Sequence, residues 1–188
     1  MDFLALAQQC APEVAPQTMA AIVRTESAFR PLSIGVNRGG RLARQPASRD
    51  EAVATAKWLI AQGYNIDLGL AQINSANLRG TGLTVEDAFD PCKNLAAGAK
   101  ILQANYRNAS RKYANEQDVL RASLSAYNTG NFRSGFANGY VSRVVNNAKA
   151  VPLAVPAIVA EKAVRAPALD KNENWNVYQA ANSETRVF

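Results

Sequence analysis

One carboxylate stands where the sequence predicts the buried face of a helix. Residues 19–30 read MAAIVRTESAFR, and their apolar side chains recur at the spacing that lines one side of a helix, at Met19, Ile22, Val23 and Phe29. Glu26 falls within that apolar stripe. Burial disfavours the charged form of a carboxyl group, so it raises the pKa of the group towards the range that a general acid needs. Two interpretations are open from spacing alone: a catalytic acid, or a buried Glu that is paired with an Arg.

The residue types that are absent narrow the chemistry. The chain has 188 residues and no histidine, which excludes Ser-His-Asp and Cys-His catalysis and every metal site that uses a histidine. Its two cysteines, Cys10 and Cys92, are too few for a structural zinc site and do not form a C-x-x-C motif. We therefore expect neither a metal ion nor a cofactor.

The two cysteines have two alternative states. They either form the disulfide of a protein from an oxidising compartment or stay as two buried thiols, and their spacing does not choose between these states. We predict a disulfide between Cys10 and Cys92 that ties the N-terminal helix to the start of a long helix. In the alternative, the start of that helix makes the thiol of Cys92 more acidic.

The charge of the chain restricts its partners. Its 21 Lys and Arg against 15 Asp and Glu give a formal net charge of +6, which suits nucleic acid, anionic lipid or an anionic cell-wall polymer. The arginines cluster only loosely, within residues 38–49, and no aromatic residue lies among them, which argues against nucleic acid. No apolar run is long enough for a membrane span, and the first residues, MDFL, lack the basic region of a secretory signal. If the protein is exported, we expect its signal to have been removed or its export to use another route.

Capping signals and apolar spacing predict a series of helices around Glu26. The predicted helices cover residues 2–10, residues from Pro16 through Glu26, a capping box at Ser48–Glu51 through to Gly63, a short helix from Thr84, a long helix from Asp90 and Pro91 through Tyr106, residues from Val119 to Gly130, and residues 140–148. Weak β-character at residues 34–36 and 41–42 predicts a small hairpin across residues 37–40. The apolar run at residues 68–74 fits either a strand or a helix.

The composition changes near residue 151. Three prolines occur among Ala and Val up to residue 167, and residues 172–188 are polar apart from a few side chains, including Trp175 and Tyr178. We predict a domain over residues 1–150, followed by a linker and polar tail over residues 151–188 that order only against a surface.

Four short motifs carry a resemblance to a known family. They are Glu26-Ser27, GLAQI at residues 69–73, AYNTG at residues 126–130 and Tyr140-Val141. In this order they resemble the signatures of lytic transglycosylases in the goose-type lysozyme superfamily. AQQCAP, SIGV and FDPCKNL, which begin at residues 7, 33 and 89, resemble the subgroup encoded with type IV secretion and conjugation systems. The resemblance covers roughly residues 1–150 and has two departures: Ala71 stands where Met is usual, and a Gly-Pro-Gly segment after residue 130 is absent.

The resemblance implies a mainly α-helical, lysozyme-like fold and a single-acid mechanism. Glu26 is expected to protonate the glycosidic oxygen between N-acetylmuramic acid and N-acetylglucosamine. It then acts as a base while the muramyl primary hydroxyl closes a 1,6-anhydro ring. The same resemblance implies a periplasmic protein whose partners are peptidoglycan strands and secretion or conjugation subunits, the latter through residues 151–188.

The resemblance also assigns roles to individual side chains. Tyr140 is expected to orient Glu26, while sugar is bound or positioned by Ser27, Gln72, Tyr127 and Asn128. Each has an ordinary structural alternative. The serine hydroxyl can bond to backbone, Gln72 and Asn74 can cap a helix end, the tyrosines can belong to the core, and Asn128 can simply end a helix.

The number of available carboxylates leaves three hypotheses open. Ordinary glycosidases use two carboxyl groups, and several acids here are explained as helix-start residues, namely Asp50, Glu51, Asp87 and Asp90. Asp67 is not explained in this way. The favoured hypothesis is a lytic transglycosylase that opens peptidoglycan for a secretion apparatus. The second is a water-using muramidase in which Asp67 is the second acid, and the third is a non-catalytic assembly factor that holds glycan.

Overall fold

Eight α-helices and one small antiparallel sheet make up residues 2–150, the part of the chain that the computed structural model describes. The helices are α1 (Phe3–Cys10), α2 (Pro16–Ser27), α3 (Arg49–Ala61), α4 (Leu78–Thr81), α5 (Pro91–Ala109), α6 (Glu116–Thr129), α7 (Ser134–Ala137) and α8 (Tyr140–Ala150). The strands are β1 (Ile34–Val36), β2 (Ile66–Leu68) and β3 (Ile73–Asn74), and short 3-10 helices occupy Ser75–Asn77 and Asp87–Phe89. The predicted fold class, mainly α with a small β element, is confirmed.

Local hydrogen bonds explain where the helices begin. Asp90 accepts a hydrogen bond from the backbone N–H of Lys93 at 2.9 Å and so caps α5. The hydroxyl of Ser48 accepts from the N–H of Glu51 at 3.2 Å and caps α3. In the predicted capping box, the carboxylate of Glu51 would accept in return from the N–H of Ser48. It accepts instead from the N–H of Ala47 at 2.8 Å. The predicted helix from Thr84 is a 3-10 turn at Asp87–Phe89.

The strand pairing differs from the predicted hairpin. β1 pairs with β2, in the register that sets Gly35 opposite Asp67, and β2 pairs with β3. Residues 41–42 form no strand. The physical reason is burial: β2 contributes two fully buried side chains, Ile66 and Leu68, whereas the side chains at residues 41–42 stay at least partly exposed. Because side chains alternate along a strand, Asp67 lies on the face opposite to these two.

The turn between β2 and β3 depends on a buried amide. The Nδ2 atom of Asn94, in α5, donates to the backbone oxygens of Leu68 and Ala88 at 2.9 and 2.8 Å, and its Oδ1 atom accepts from the N–H of Ala71 at 2.7 Å. Gly69 has φ = +77°, and a Cβ there would lie 2.4 Å from the Nδ2 atom of Asn94. The apolar run at residues 68–74 is therefore a strand end, a tight turn and a second strand, held by α5 from below.

Helix α2 crosses the core. Met19, Ile22 and Val23 are fully buried, and α2 packs against α1 and α8 while α5 packs against α6 and α1. Phe29 was expected to extend the buried stripe, but α2 ends at Ser27 and Phe29 is 38% exposed. Glu26 therefore occupies the last turn of the helix, where the buried face meets open space.

A disulfide links two of these helices. Cys10, the last residue of α1, is bonded to Cys92 in the first turn of α5, with a Cα–Cα distance of 5.1 Å. The two residues are 82 positions apart in the sequence. The bridge connects α1, which packs on α2, to the helix that supports the β2–β3 turn.

None of the helices within residues 2–150 combines the length and the apolar character that a membrane crossing requires. The predicted linker and tail, residues 151–188, lie outside the described residues.

Candidate active site

Glu26 opens into a cleft of about 650 Å³. The strand β3 and the turn before it form one side of this cleft, together with Asn37 and Asp67, and the helices α4 and α5 form the other. The end of α6, at residues 126–128, closes it beside Glu26. Carboxamide side chains dominate the polar lining, at Asn37, Asn65, Gln72, Asn74, Asn77, Asn105 and Asn128. Such groups offer both donors and acceptors, which suits hydroxyl and acetamido groups of sugars.

A tyrosine holds the carboxyl group of Glu26. The hydroxyl of Tyr140 donates to the Oε1 atom of Glu26 at 2.5 Å, and Tyr140 itself is 2% exposed. Burial raises the pKa of Glu26 to about 7, the nearby charge of Asp67 adds to this rise, and the bond from Tyr140 and the charge of Arg143 oppose it. A pKa near neutrality allows the same carboxyl group to donate a proton and to take one back.

The position of Tyr140 follows from how α8 docks on α2. Tyr140 is the first residue of α8, and its backbone N–H donates to the Oδ1 atom of Asn138 at 2.9 Å. About two turns further on, Asn147 donates to the hydroxyl of Thr25 at 2.9 Å. α8 is thus attached to α2 at Glu26 itself and at the preceding residue, Thr25, which holds the tyrosine hydroxyl at the carboxyl group.

The backbone after Glu26 adopts a rare conformation. Ala28 and Phe29 have φ of +50° and +63°, the left-handed region that residues other than glycine seldom occupy. Such residues cost about 1–2 kcal/mol each. The ring of Phe29 packs edge-on against Phe3 of α1, with centroids 4.9 Å apart, and Arg30 donates to the backbone oxygen of Ser27 at 3.1 Å. These contacts fix the C-terminal end of α2, the helix that carries Glu26.

Asp67 is a second carboxylate in the same cleft. Its two oxygens each accept one amide hydrogen bond, from Asn74 at 2.7 Å and from Asn37 at 2.9 Å. Asn65 bonds to both asparagines and completes the network. Burial raises the pKa of Asp67, and the two amides oppose the rise. The carboxylate of Asp67 is therefore fixed in orientation, because the protein supplies a hydrogen-bond donor to each of its oxygens.

Gln72 lines the cleft with a strained backbone, at φ = +48°. Its Nε2 atom donates to the backbone oxygens of Gly69 at 2.8 Å and Ser33 at 3.1 Å. A Cβ on Gly35 would lie 2.8 Å from the Oε1 atom of Gln72, so the glycine makes room for the amide. The amide nitrogen is used internally, which leaves Oε1 as the atom of this side chain with acceptor capacity for a ligand.

Tyr127 and Asn128 close the end of the cleft. The hydroxyl of Tyr127 donates to the backbone oxygen of Ala71 at 2.8 Å, and burial raises the pKa of that hydroxyl well above its usual value. Asn128 lines the cleft, and its Oδ1 atom accepts from Asn138 at 2.9 Å. Gly98 of α5 lies behind the tyrosine, where a Cβ would come within 3.0 Å of its hydroxyl.

The structure brings together all but one of the predicted site residues. Gln72, Tyr127 and Asn128 line the cleft with Glu26, and Tyr140 lies directly behind the carboxyl group. Ser27 is elsewhere: it is 2% exposed, does not line the cleft, and donates its hydroxyl to the backbone oxygen of Val23 at 3.2 Å. This is the backbone role that its sequence context also allowed.

Sequence reasoning missed the network of asparagines around Asp67. The capping role that it allowed for Asn74 is confirmed, because the Oδ1 atom of Asn74 accepts from the N–H of Ala76 at 3.0 Å at the start of the 3-10 helix Ser75–Asn77. Asn37, Asn65 and Asn74 come from three separated segments, and only the strand pairing brings them together. It also missed the buried Asn94 and the cleft face of α5. The only sequence signal was the number of asparagines near the second motif, which also fits turns.

Residues 3–148 match the family described as Transglycosylase SLT domain. The chain belongs to this family. It is 52% identical over 180 residues to the type IV secretion system protein virB1 of Brucella suis biovar 1, covering 89% of this chain and 75% of that protein. No solved structure matches the chain.

Two further relatives extend the comparison. The type IV secretion system protein virB1 of Brucella abortus biovar 1 is 55% identical over 154 residues, which cover 79% of this chain. These residues cover only 64% of that relative, so the chain spans less than two thirds of its length. Protein virB1 of Rhizobium radiobacter is 36% identical over 189 residues, covering 99% of this chain and 77% of the relative.

Proposed function

We propose that this protein is a peptidoglycan lytic transglycosylase that cleaves the bond between N-acetylmuramic acid and N-acetylglucosamine and leaves a 1,6-anhydromuramic end. The observation that carries the proposal is Glu26, a carboxyl group with a pKa of about 7 that opens into an amide-lined cleft and is held by Tyr140. Membership of the Transglycosylase SLT domain family supports the same activity.

The proposed reaction needs one proton-transferring group. Glu26 gives its proton to the glycosidic oxygen as the bond from that oxygen to the muramyl C1 breaks. The muramyl 6-hydroxyl oxygen then bonds to C1, and its proton passes to the carboxylate of Glu26, which restores the acid. An intramolecular nucleophile benefits from a high effective concentration and needs no bound water.

The other cleft residues support this reaction by position. Tyr140 holds the orientation of Glu26, and its hydroxyl stabilises the carboxylate between the two proton transfers. Asp67 presents a negative charge in the same cleft, which favours the positive charge that develops at C1. Gln72 and Asn128 supply amide groups for sugar hydroxyl and acetamido groups.

A water-using muramidase is the second candidate, because Asp67 lies in the cleft with Glu26. Both oxygens of Asp67 already accept amide hydrogen bonds. This favours a fixed charge over a group that takes a proton from water. A pure glycan-binding factor is the weakest candidate, because such a protein gains nothing from a buried carboxyl group whose raised pKa costs stability as the pH rises.

The experiment that tests the proposal is mass analysis of the sugars released from purified cell wall by the full chain. Anhydromuramic ends are expected as the main product. Reducing muramic ends in quantity would instead establish the muramidase. Glu26→Gln should abolish cleavage while glycan binding persists, since the change removes the proton donor and keeps the shape. Near-normal activity of this variant would mean that another group is the acid.

The biological setting is proposed from the relatives. Because they are called type IV secretion system protein virB1 or protein virB1, we expect this enzyme to open the cell wall locally for a type IV secretion or conjugation apparatus in the periplasm. Residues 151–188 are proposed to contact subunits of that apparatus. Truncation after Ala150 should then leave cleavage of purified cell wall unchanged, or raise it if the tail covers the cleft. Loss of thermal stability together with activity would show that the domain extends beyond residue 150.

A further inference from the structure

The cleft contains one positive charge that the proposed reaction does not use. Among the described residues that line the cleft, Lys100 is the one with a cationic side chain. It lies on the face of α5 that also presents Ile101, Ala104 and Asn105 to the cleft, and its side chain is exposed at the solvent edge. Such an ammonium group can bind a negatively charged group of a ligand in the cleft.

No acid within residues 2–150 forms an ion pair with Lys100. Helix α5 contains no Asp or Glu, so the usual partner one turn away is missing. The salt bridges in this part of the chain join Arg44 to Glu51, Lys57 to Glu86 and Lys93 to Asp87. The two cleft carboxylates have other partners: Glu26 accepts from Tyr140, and Asp67 accepts from two asparagines.

The chemistry of the proposed substrate supplies a negative group at regular intervals. Sugar hydroxyl and acetamido groups are neutral, and the carboxamides of the cleft suit them. Each muramyl residue also carries a lactyl group, which is either a free carboxylate or joined to a stem peptide that has carboxylates of its own. On the α5 side, the other side chains that line the cleft, Ile101, Ala104 and Asn105, are uncharged. An ammonium at the edge of this side therefore matches the muramyl substituent and not the sugar ring.

We propose that Lys100 is a specificity-determining residue that binds a carboxylate carried by the muramyl residues of the glycan strand. The inference rests on the proposed function for its substrate class. It adds a contact outside the reacting sugar ring, on the α5 side of the cleft. Because the side chain is exposed, the contact contributes modestly, and we expect it to alter affinity for the strand without altering the acid–base step.

Direct binding tests this contact independently of cleavage. The full chain carrying Glu26→Gln is titrated with three soluble glycan strands: strands that carry stem peptides, peptide-free strands with lactyl carboxylates, and peptide-free strands whose carboxylates are converted to neutral methylamides. Adding Lys100→Gln should weaken binding about two- to fivefold for a carboxylated strand and leave binding of the methylamide strand unchanged. Loss on the peptide-free strand identifies the lactyl carboxylate, and loss confined to the peptide-bearing strand identifies the stem peptide.

Two control variants separate a specific contact from a general charge effect. Lys100→Arg keeps the charge and should retain most of the affinity. Lys149→Gln removes an equal charge from the exposed end of α8, outside the cleft, and should have no effect on any strand. The difference between carboxylated and neutral strands should also shrink as salt is added.

The proposal about Lys100 is overturned if Lys100→Gln weakens binding of all three strands equally, or if Lys149→Gln has the same effect. The proposed function has its own readout, the anhydromuramic ends formed by the unsubstituted protein. A protein that discriminates carboxylated strands through Lys100 but yields reducing ends would refute the transglycosylase reaction and leave the contact in place.

Discussion

Replacing Glu26 with Gln should make the folded protein more stable at neutral and alkaline pH. The carboxyl group has its pKa raised from 4.5 to about 7 on folding, chiefly by burial. The folded state therefore holds a proton that the unfolded chain releases between these two pH values, and stability falls as pH rises through this window. At about 1.4 kcal/mol per pH unit the full loss is about 3 kcal/mol, and access of solvent through the cleft reduces the expected value to about 2–3 kcal/mol.

Glutamine avoids this loss because it is neutral at every pH and its Oε1 atom still accepts from Tyr140. The assay is urea unfolding of both proteins at pH 4.5, 6, 7 and 8.5. The variant should match the unsubstituted protein at the lowest pH and exceed it by about 2–3 kcal/mol at the highest. Glu13→Gln, at an exposed carboxylate, is the control and should show no such divergence. A difference that is independent of pH would refute the argument, because it would mean that Glu26 titrates alike in the folded and unfolded states.

Three further predictions follow from the contacts of the site and the core. Tyr140→Phe removes a hydrogen bond that lowers the pKa of Glu26, so the alkaline limb of the pH profile of kcat/KM should move up by about one pH unit. Tyr127→Phe is the control and should leave this limb in place, because the hydroxyl of Tyr127 bonds to a backbone oxygen. Reducing the disulfide between Cys10 and Cys92, which spans 82 positions, should lower the free energy of unfolding by about 4–5 kcal/mol. The measurement compares unfolding with and without reductant, and an unchanged value would show that the disulfide does not constrain the unfolded chain. Gly98→Ala places a methyl group 3.0 Å from the hydroxyl of Tyr127, so it should destabilise by about 1–3 kcal/mol and weaken glycan binding, and a neutral result would mean that α5 can shift without disturbing the cleft.

Local rules were enough to predict most helices of this fold. The starts of α3 and α5 follow from side chains that cap them within three residues, and the buried face of α2 follows from spacing alone. The catalytic acid could be predicted because Glu26 departs from the apolar pattern of its helix. A structural feature that depends only on residues within one helical turn can therefore be predicted from a single sequence.

Long-range pairing was not predictable in the same way. Nothing in the local sequence indicates whether residues 34–36 pair with Ile66 and Leu68 or with residues 41–42. The choice depends on which side chains become buried in the core, and this is decided only when the chain folds. The asparagines that hold Asp67, and Asn94 beneath the turn, depend on that pairing. The sequence therefore showed the acid and its motifs, whereas the amide-lined wall and the α5 face required the structure.

The residues that break local rules gather around the cleft. Within residues 2–150 the backbone has positive φ at four residues other than glycine, namely Ala28, Phe29, Arg38 and Gln72. The first two follow Glu26, Arg38 follows the asparagine that holds Asp67, and Gln72 lines the cleft. Strain of this kind persists only where the surrounding structure determines the conformation more strongly than the residue opposes it. Here the disulfide, the packing of α1 on α2 and the buried amide of α5 supply that constraint, so the core of this small domain stabilises a site whose own residues oppose folding.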